Sequence, residues 1–223
     1  MIHKIWRSVL FFLYYFIFLF GPSAAKMTHN APAMRINFNN AHLLLAMALN
    51  SILTLVFALL LLRKKEMPHR KKTQRHAGLF AWCVLILFCL FAANSFLSLL
   101  GKALHWPHTG VQGVTPPAKA LHLPIALLCL LIGYSEEALF RRGAADILPF
   151  LSVPAAHITM SLLFGLAHIA QGWIAVLFST AAGGIFAFSY VFLSKKYGPI
   201  GWHCLAITHG AYNFIMIALA GRI

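Results

Sequence analysis

Carboxylates are almost missing from this chain. Against 18 Lys and Arg there are only four acids in 223 residues, Glu66, Glu136, Glu137 and Asp146. Charged residues of both signs make up 10%, whereas a soluble domain carries roughly 25%. That shortage excludes an ordinary water-soluble fold, and 61% hydrophobic residues with a mean hydropathy of +0.79 point the same way. A single aspartate excludes a two-aspartate hydrolytic site of the presenilin kind. No acid follows a histidine, so the HExxH pattern of zinc peptidases is absent. Gly133-Tyr-Ser135-Glu136 puts glutamate where the second glycine of a rhomboid-type GxSG serine site belongs. The four cysteines, Cys83, Cys89, Cys129 and Cys204, lie inside apolar runs with no CxxC pair, and they read as small core hydrophobes rather than disulfides or metal ligands. Internal repeats and ten-residue alternating segments are missing too, which disfavours repeat-built transporters and β-barrels.

What is present is hydrocarbon. Apolar runs at 5–22, 41–62, 77–100, 121–143, 153–170, 174–193 and 201–220 are long enough, or nearly so, to cross a bilayer core, which takes about 20 helical residues. Helices satisfy the backbone where water is absent. The expectation is an all-α, polytopic membrane helical bundle of about seven transmembrane helices, forming one integral membrane domain over 1–223. In residues 1–25, Lys4 and Arg7 precede the run VLFFLYYFIFLF and Gly-Pro-Ser-Ala-Ala follows. That layout fits a first transmembrane helix or a signal-like segment, and the transmembrane helix is the preferred reading. Small residues of the sixth run, Ala181, Ala182, Gly183, Gly184 and Ala187, suit close helix packing.

A net charge of +14 and a pI near 10.1 would suggest nucleic acid in a soluble protein. Here position decides otherwise. Arg63, Lys64, Lys65, Arg70, Lys71, Lys72 and Arg75 fall in one loop, 63–76, between two apolar runs. Such clustering marks the cytoplasmic side, and with the N-terminus also inside, Arg141-Arg142 and Lys195-Lys196 land there as well. No nucleic-acid partner is expected, because interleaved aromatics and a binding fold are lacking. Anionic lipid headgroups suit the loop better.

Half of the acids stand together in the stretch YSEEALFR, Tyr134 to Arg141. An ionised carboxylate in a bilayer costs several kcal/mol unless partnered, so such a group defaults to a functional hypothesis. Glu137 and Arg141 are four apart on one helical face, in the favourable order for an ion pair. Glu136 points about 100° away around the axis and has no such local partner. Among the 12 histidines, His168, His203 and His209 fall well within the last runs, with His157 nearer an end. Phe164 and His168 are one turn apart, as are His209 and Asn213. Glu136 and His168 each lie 15 residues past the starts of their antiparallel spans, at 121 and 153, so the two are expected to meet somewhat past the midplane. Plainer readings stand beside these. Glu137–Arg141 serves equally as a structural ion pair, Glu136 as a hydrogen-bonded carboxyl, and His168 and His209 as interhelical polar contacts. His157 and His203 read as structural or interfacial, Phe164 as core packing, and Asp146 as an interfacial acid.

Taken in order, Glu136-Glu137-x-x-x-Arg141, Phe164-x-x-x-His168 and His209-x-x-x-Asn213 resemble the motifs of the CPBP family, which takes in type II CAAX prenyl proteases and bacterial Abi, or bacteriocin-processing, membrane proteins. The resemblance covers roughly 120–218, which it marks as a CAAX-protease-like catalytic core. It implies that Glu136 and His168 activate a water molecule for attack on a peptide carbonyl, and that His209 and Asn213 stabilise the oxyanion. Glu137 and Arg141 would be the supporting ion pair, with Phe164 shaping the wall beside His168. No cofactor is implied on the metal-free mechanism, while zinc held by Glu136, His168 and His209 is the alternative. The implied function is an intramembrane endopeptidase acting near the C-terminus or leader of a membrane-associated protein or peptide, in contact with the lipid bilayer. Two other classes remain open on the residues alone: a proton-coupled transporter or channel, and a non-catalytic membrane scaffold or immunity protein.

Overall fold

The computed structural model describes residues 2–28, 34–62, 76–105 and 111–219. The basic loop expected at 63–76 lies outside the described residues apart from His76. Each of the seven apolar runs contains a helix. Helix α1 (Ile2–Tyr14) continues through a π-helical turn, Tyr15–Phe20, into α2 (Gly21–Thr28). Helices α3 (Ala41–Leu61) and α4 (His76–Ala103) follow, and α3 is opened by Asn40, whose side chain accepts from the backbone N–H of His42 at 2.9 Å. Helix α5 (His122–Glu137) runs into a second π-helical turn, Ala138–Arg142, and then the short α6 (Ala144–Ile147). The last three are α7 (Val153–Leu166), α8 (Trp173–Tyr197) and α9 (Pro199–Leu219).

Among the described residues, five spans are long and apolar enough to cross a membrane: Ile5–Ala24, Ala41–Leu61, Ala77–Ala103, Lys119–Arg142 and Trp173–Tyr197. Helix α7 is a shorter apolar helix of 14 residues, and α9 has 21. These two carry His157 and His209, both buried. The lipid-facing role of the outer helices shows in their surfaces. Leu60, Phe80 and Phe88 are 76%, 72% and 69% exposed, an arrangement that hydrocarbon tolerates and water does not. The molecule is an integral membrane protein.

Two features depart from the sequence expectation. The run 153–170 is not one helix, since α7 stops at Leu166. His168 begins a 3₁₀ turn over Ile169–Gln171, and Gly172, at φ 97° and ψ 167°, redirects the chain into α8, a conformation that needs a residue without Cβ. Second, β1 (Met34–Asn37) and β2 (Val111–Thr115) pair in parallel, joining two segments expected only as loops. Asn39 locks this pair to the start of α5, donating to the Pro116 carbonyl at 3.1 Å and accepting from the Ala118 N–H at 2.8 Å.

Two main apolar clusters flank the centre. Phe11, Tyr15, Leu139, Ile147, Met160 and Phe164 build one from α1, the α5–α6 corner and α7. Leu79, Leu90, Phe186, Leu205 and Tyr212 build the other from α4, α8 and α9. The first helix is thus packed into the bundle, with the Tyr15 hydroxyl donating to the Leu163 carbonyl at 2.7 Å. Of the small residues in the sixth run, Gly183 lies against Ser161 of α7, where a Cβ would stand 3.0 Å from that side chain. The tightest approach that bears on the site joins α5 to α9. A Cβ on Gly133 would lie 2.6 Å from the Ala206 carbonyl oxygen, and one on Gly210 would lie 2.8 Å from both the Cys129 oxygen and the Leu130 Cα. Backbone meets backbone there, as small residues permit in membrane helix pairs. Gly210→Ala therefore has no flexible side chain to displace. Its expected cost is about 2 kcal/mol, read as a lower melting temperature in detergent, and an unchanged melting temperature would refute this contact.

Candidate active site

The Gly133–Gly210 approach sets two acidic residues on α5 against a histidine on α9. Glu137 lies one turn past Gly133, and His209 directly precedes Gly210. The imidazole sits between the two carboxylates. Its Nδ1 is 2.9 Å from Oε1 of Glu137, and its Nε2 is 3.4 Å from Oε2 of Glu136. A carboxylate oxygen accepts, so Nδ1 carries a hydrogen toward Glu137. Phe186 of α8 stacks on the ring at 4.5 Å and 24°, which fixes its plane. The side chains of Glu137 and Arg141 are fully buried, whereas that of Glu136 is 23% exposed. Glu136 is therefore the carboxylate that an incoming molecule can reach.

Arg141 holds the other carboxylate without a hydrogen bond. Its Nε is 3.7 Å from Oε2 of Glu137, and none of its three side-chain nitrogens has a hydrogen-bond partner among the described residues. The guanidinium instead lies between aromatic faces, with Cζ 4.6 Å from the Phe164 ring centre and 5.7 Å from that of Phe186. Coulombic attraction to Glu137 and the two ring faces together keep the charge in place. The π-helical turn that starts at Ala138 brings Arg141 into this position directly after Glu137, and such turns recur where a helix carries function.

His168 packs beside Phe164. Its ring centre is 4.8 Å from that of Phe164, which in turn is 6.1 Å from that of His209. The end of α7 before His168 does not break the one-turn relation with Phe164, because His168 Nδ1 donates to the Phe164 carbonyl at 2.8 Å. That carbonyl can only accept, so Nε2 of a neutral His168 is left as an acceptor. No hydrogen bond or ion pair joins His168 to Glu136 among the described residues. Asn213, one turn beyond His209 on α9, is partly exposed, and its side chain makes no hydrogen bond among the described residues. The structure thus joins Glu136, Glu137, Arg141 and His209 in one chain of contacts and places Phe164 beside it. Among the described residues neither His168 nor Asn213 forms a hydrogen bond or ion pair with this group.

Sequence reasoning assigned Glu137 to Arg141 alone and missed its bond to His209. It also missed Phe186, which no motif marks, and the Gly133–Gly210 pair, whose position one turn before Glu137 and directly after His209 was the available signal. His157 is buried on α7 with its ring 5.7 Å from that of Tyr190, and His203 is exposed beside Trp202. For zinc, the geometry fits poorly. Among the described residues no three His, Cys, Asp or Glu side chains are grouped to hold a metal ion, and both His209 nitrogens already face carboxylates.

Comparison with known proteins adds one match. Residues 118–215 match the family model described as type II CAAX prenyl endopeptidase Rce1-like, a stretch that contains Glu136, Glu137, Arg141, Phe164, His168, His209 and Asn213. No curated protein and no solved structure matched. Over residues 118–215, then, the chain is similar to the Rce1-like type II CAAX prenyl endopeptidases, and that stretch holds the ion-paired and histidine residues described above.

Proposed function

We propose that this protein is a glutamate-dependent intramembrane endopeptidase that hydrolyses a peptide bond near the C-terminus or leader of a membrane-associated protein or peptide. The observation that carries the reading is His209 held between a buried carboxylate and a reachable one. Glu137 has no access to water, so it orients; Glu136 does, so it reacts. With a second proton on His209, the charges of Glu136, Glu137, Arg141 and His209 sum to zero, which removes the main penalty for burying four ionisable groups.

In this reading Glu136 takes a proton from water as the oxygen attacks the peptide carbonyl carbon, with His168 Nε2 as a second acceptor for the water. The oxyanion that forms is met by donors from α9, the His209 Nε2–H and the Asn213 amide. Collapse of the intermediate breaks the C–N bond, and the proton held by Glu136 passes to the departing amine. No metal enters this course. Its support is the donor set described above, in which His209 has no free nitrogen for an ion. We further place the N-terminus and the 63–76 loop on the cytoplasmic side of a bacterial inner membrane, on the strength of the basic residues clustered in that loop.

Purified protein in detergent, offered a library of tail and leader peptides, tests the reading. His209→Ala and His168→Ala are each expected to lower cleavage by two orders of magnitude or more while the fold persists. A chelator is expected to leave the rate unchanged. Cleavage at the wild-type rate in both histidine variants would reject the assignment, and loss with a chelator that zinc restores would reject the metal-free course.

A further inference from the structure

The α7–α8 pair carries a groove that none of the site residues lines. Its walls include His157, Ser161, Gly184, Ala187, Phe188 and Val191, and its volume is about 480 Å³. Val153 and Pro154, in the first turn of α7, border one end with Val191; Leu162 and Thr180 border the other. Between Val153 and Leu162 the helix rises ~14 Å, so the groove is an elongated apolar slot along which a hydrocarbon chain can lie. The rim is apolar, with Ile158 and Phe188 62% and 66% exposed, and α8 is itself a membrane span.

One end of the groove is basic. Gly184, Phe188, Val191 and Lys195 follow one another at helical spacing along α8, so Lys195 stands about 6 Å beyond Val191 on the same stripe. Lys195 is exposed and forms no ion pair with a carboxylate among the described residues. Lys196 beside it rests on the rings of Phe192 and Tyr197, at 5.4 and 5.2 Å. The N-terminus of α7 opens at the same level, and its cap residue Ser152 makes no side-chain cap bond, so the partial positive charge of the helix end adds to that of the lysines. An elongated apolar slot ending in positive charge is complementary to an amphiphile with an anionic head. We propose that this groove binds one acyl chain of an anionic membrane phospholipid, with its phosphate at Lys195.

Gly184 gives a clean probe, since a Cβ there would meet nothing within 4 Å and a larger side chain fills the groove without displacing protein. Full-length protein released from detergent is titrated with phosphatidylglycerol or phosphatidylcholine and examined by native mass spectrometry. The wild type is expected to retain one phosphatidylglycerol in preference to phosphatidylcholine. Gly184→Leu should weaken that binding about tenfold or more, because expelling even two methylenes from the slot suffices for such a change. Lys195→Gln should erase the headgroup preference while a chain still binds. Unaltered phosphatidylglycerol occupancy in Gly184→Leu, or equal binding of the two lipids by wild type, would overturn the proposal. So would a change in oligomeric mass with unchanged lipid count, which would assign the groove to a second copy. If Gly184→Leu melts below wild type, Val191→Trp at the rim serves as the blocking variant, with the same outcomes.

Discussion

Glu136→Gln is expected to reduce peptide cleavage about a thousandfold with little change in melting temperature. The amide is isosteric and can still accept a hydrogen from Nε2 of His209, so the contact at 3.4 Å survives. What it cannot do is take a proton from water and return it to the amine. Because the Glu136 side chain is 23% exposed, neutralising it leaves no buried charge stranded, and stability should be nearly unaffected. Glu137→Gln supplies the comparison. Its amide oxygen can still receive the Nδ1 hydrogen of His209, so orientation is partly kept and the loss of rate should be the smaller of the two. Single-turnover cleavage of one peptide by the three proteins, with melting curves alongside, decides the matter. Activity in Glu136→Gln within tenfold of wild type would remove Glu136 from the reacting position. A deeper loss in Glu137→Gln than in Glu136→Gln would exchange their roles.

Much of this was readable before any coordinates, and the parts that were not have physical reasons. Half of the acids fall in adjacent positions of an apolar run, and one has an arginine four residues on, so the Glu137–Arg141 pair follows from helical spacing alone. Which carboxylate faces α9 does not follow. That depends on the rotation of α5 about its axis, set by the backbone approach of Gly133 to Gly210, and on the π-helical turn that begins at Ala138. Both are tertiary facts. The expected meeting of Glu136 with His168 rested on equal depth in two antiparallel runs. Depth places residues in a layer of the bilayer, but it does not fix which way each side chain points within that layer. The short parallel pairing of β1 with β2 was illegible for another reason: four or five residues in a loop carry too little alternation to declare a strand, and their partner lies two helices away in sequence. The groove between α7 and α8 was hidden for a related one. Gly184 reads as a packing residue among its small neighbours, yet it faces open space while Gly183 makes the contact.

The largest effect on stability is expected from Arg141→Ala, at about 3 kcal/mol. The guanidinium is the only arginine or lysine charge paired with Glu137 among the described residues, and both side chains are fully buried. Removing it leaves a carboxylate in a low-dielectric interior with His209 as its remaining partner. It also empties the space between Phe164 and Phe186, whose faces lie 4.6 and 5.7 Å from Cζ. These two costs can be separated. Arg141→Met refills much of the volume without the charge, so any loss it retains is electrostatic. Adding Glu137→Gln to Arg141→Met removes the stranded carboxylate and should restore most of the stability, since a buried pair replaced as a unit costs far less than one broken by half. Activity should not return with stability in that double variant to the wild-type level, because His209 then lacks the charged partner that orients it. A double variant no more stable than Arg141→Met would show that aromatic packing, not the ion pair, holds this corner of the bundle together.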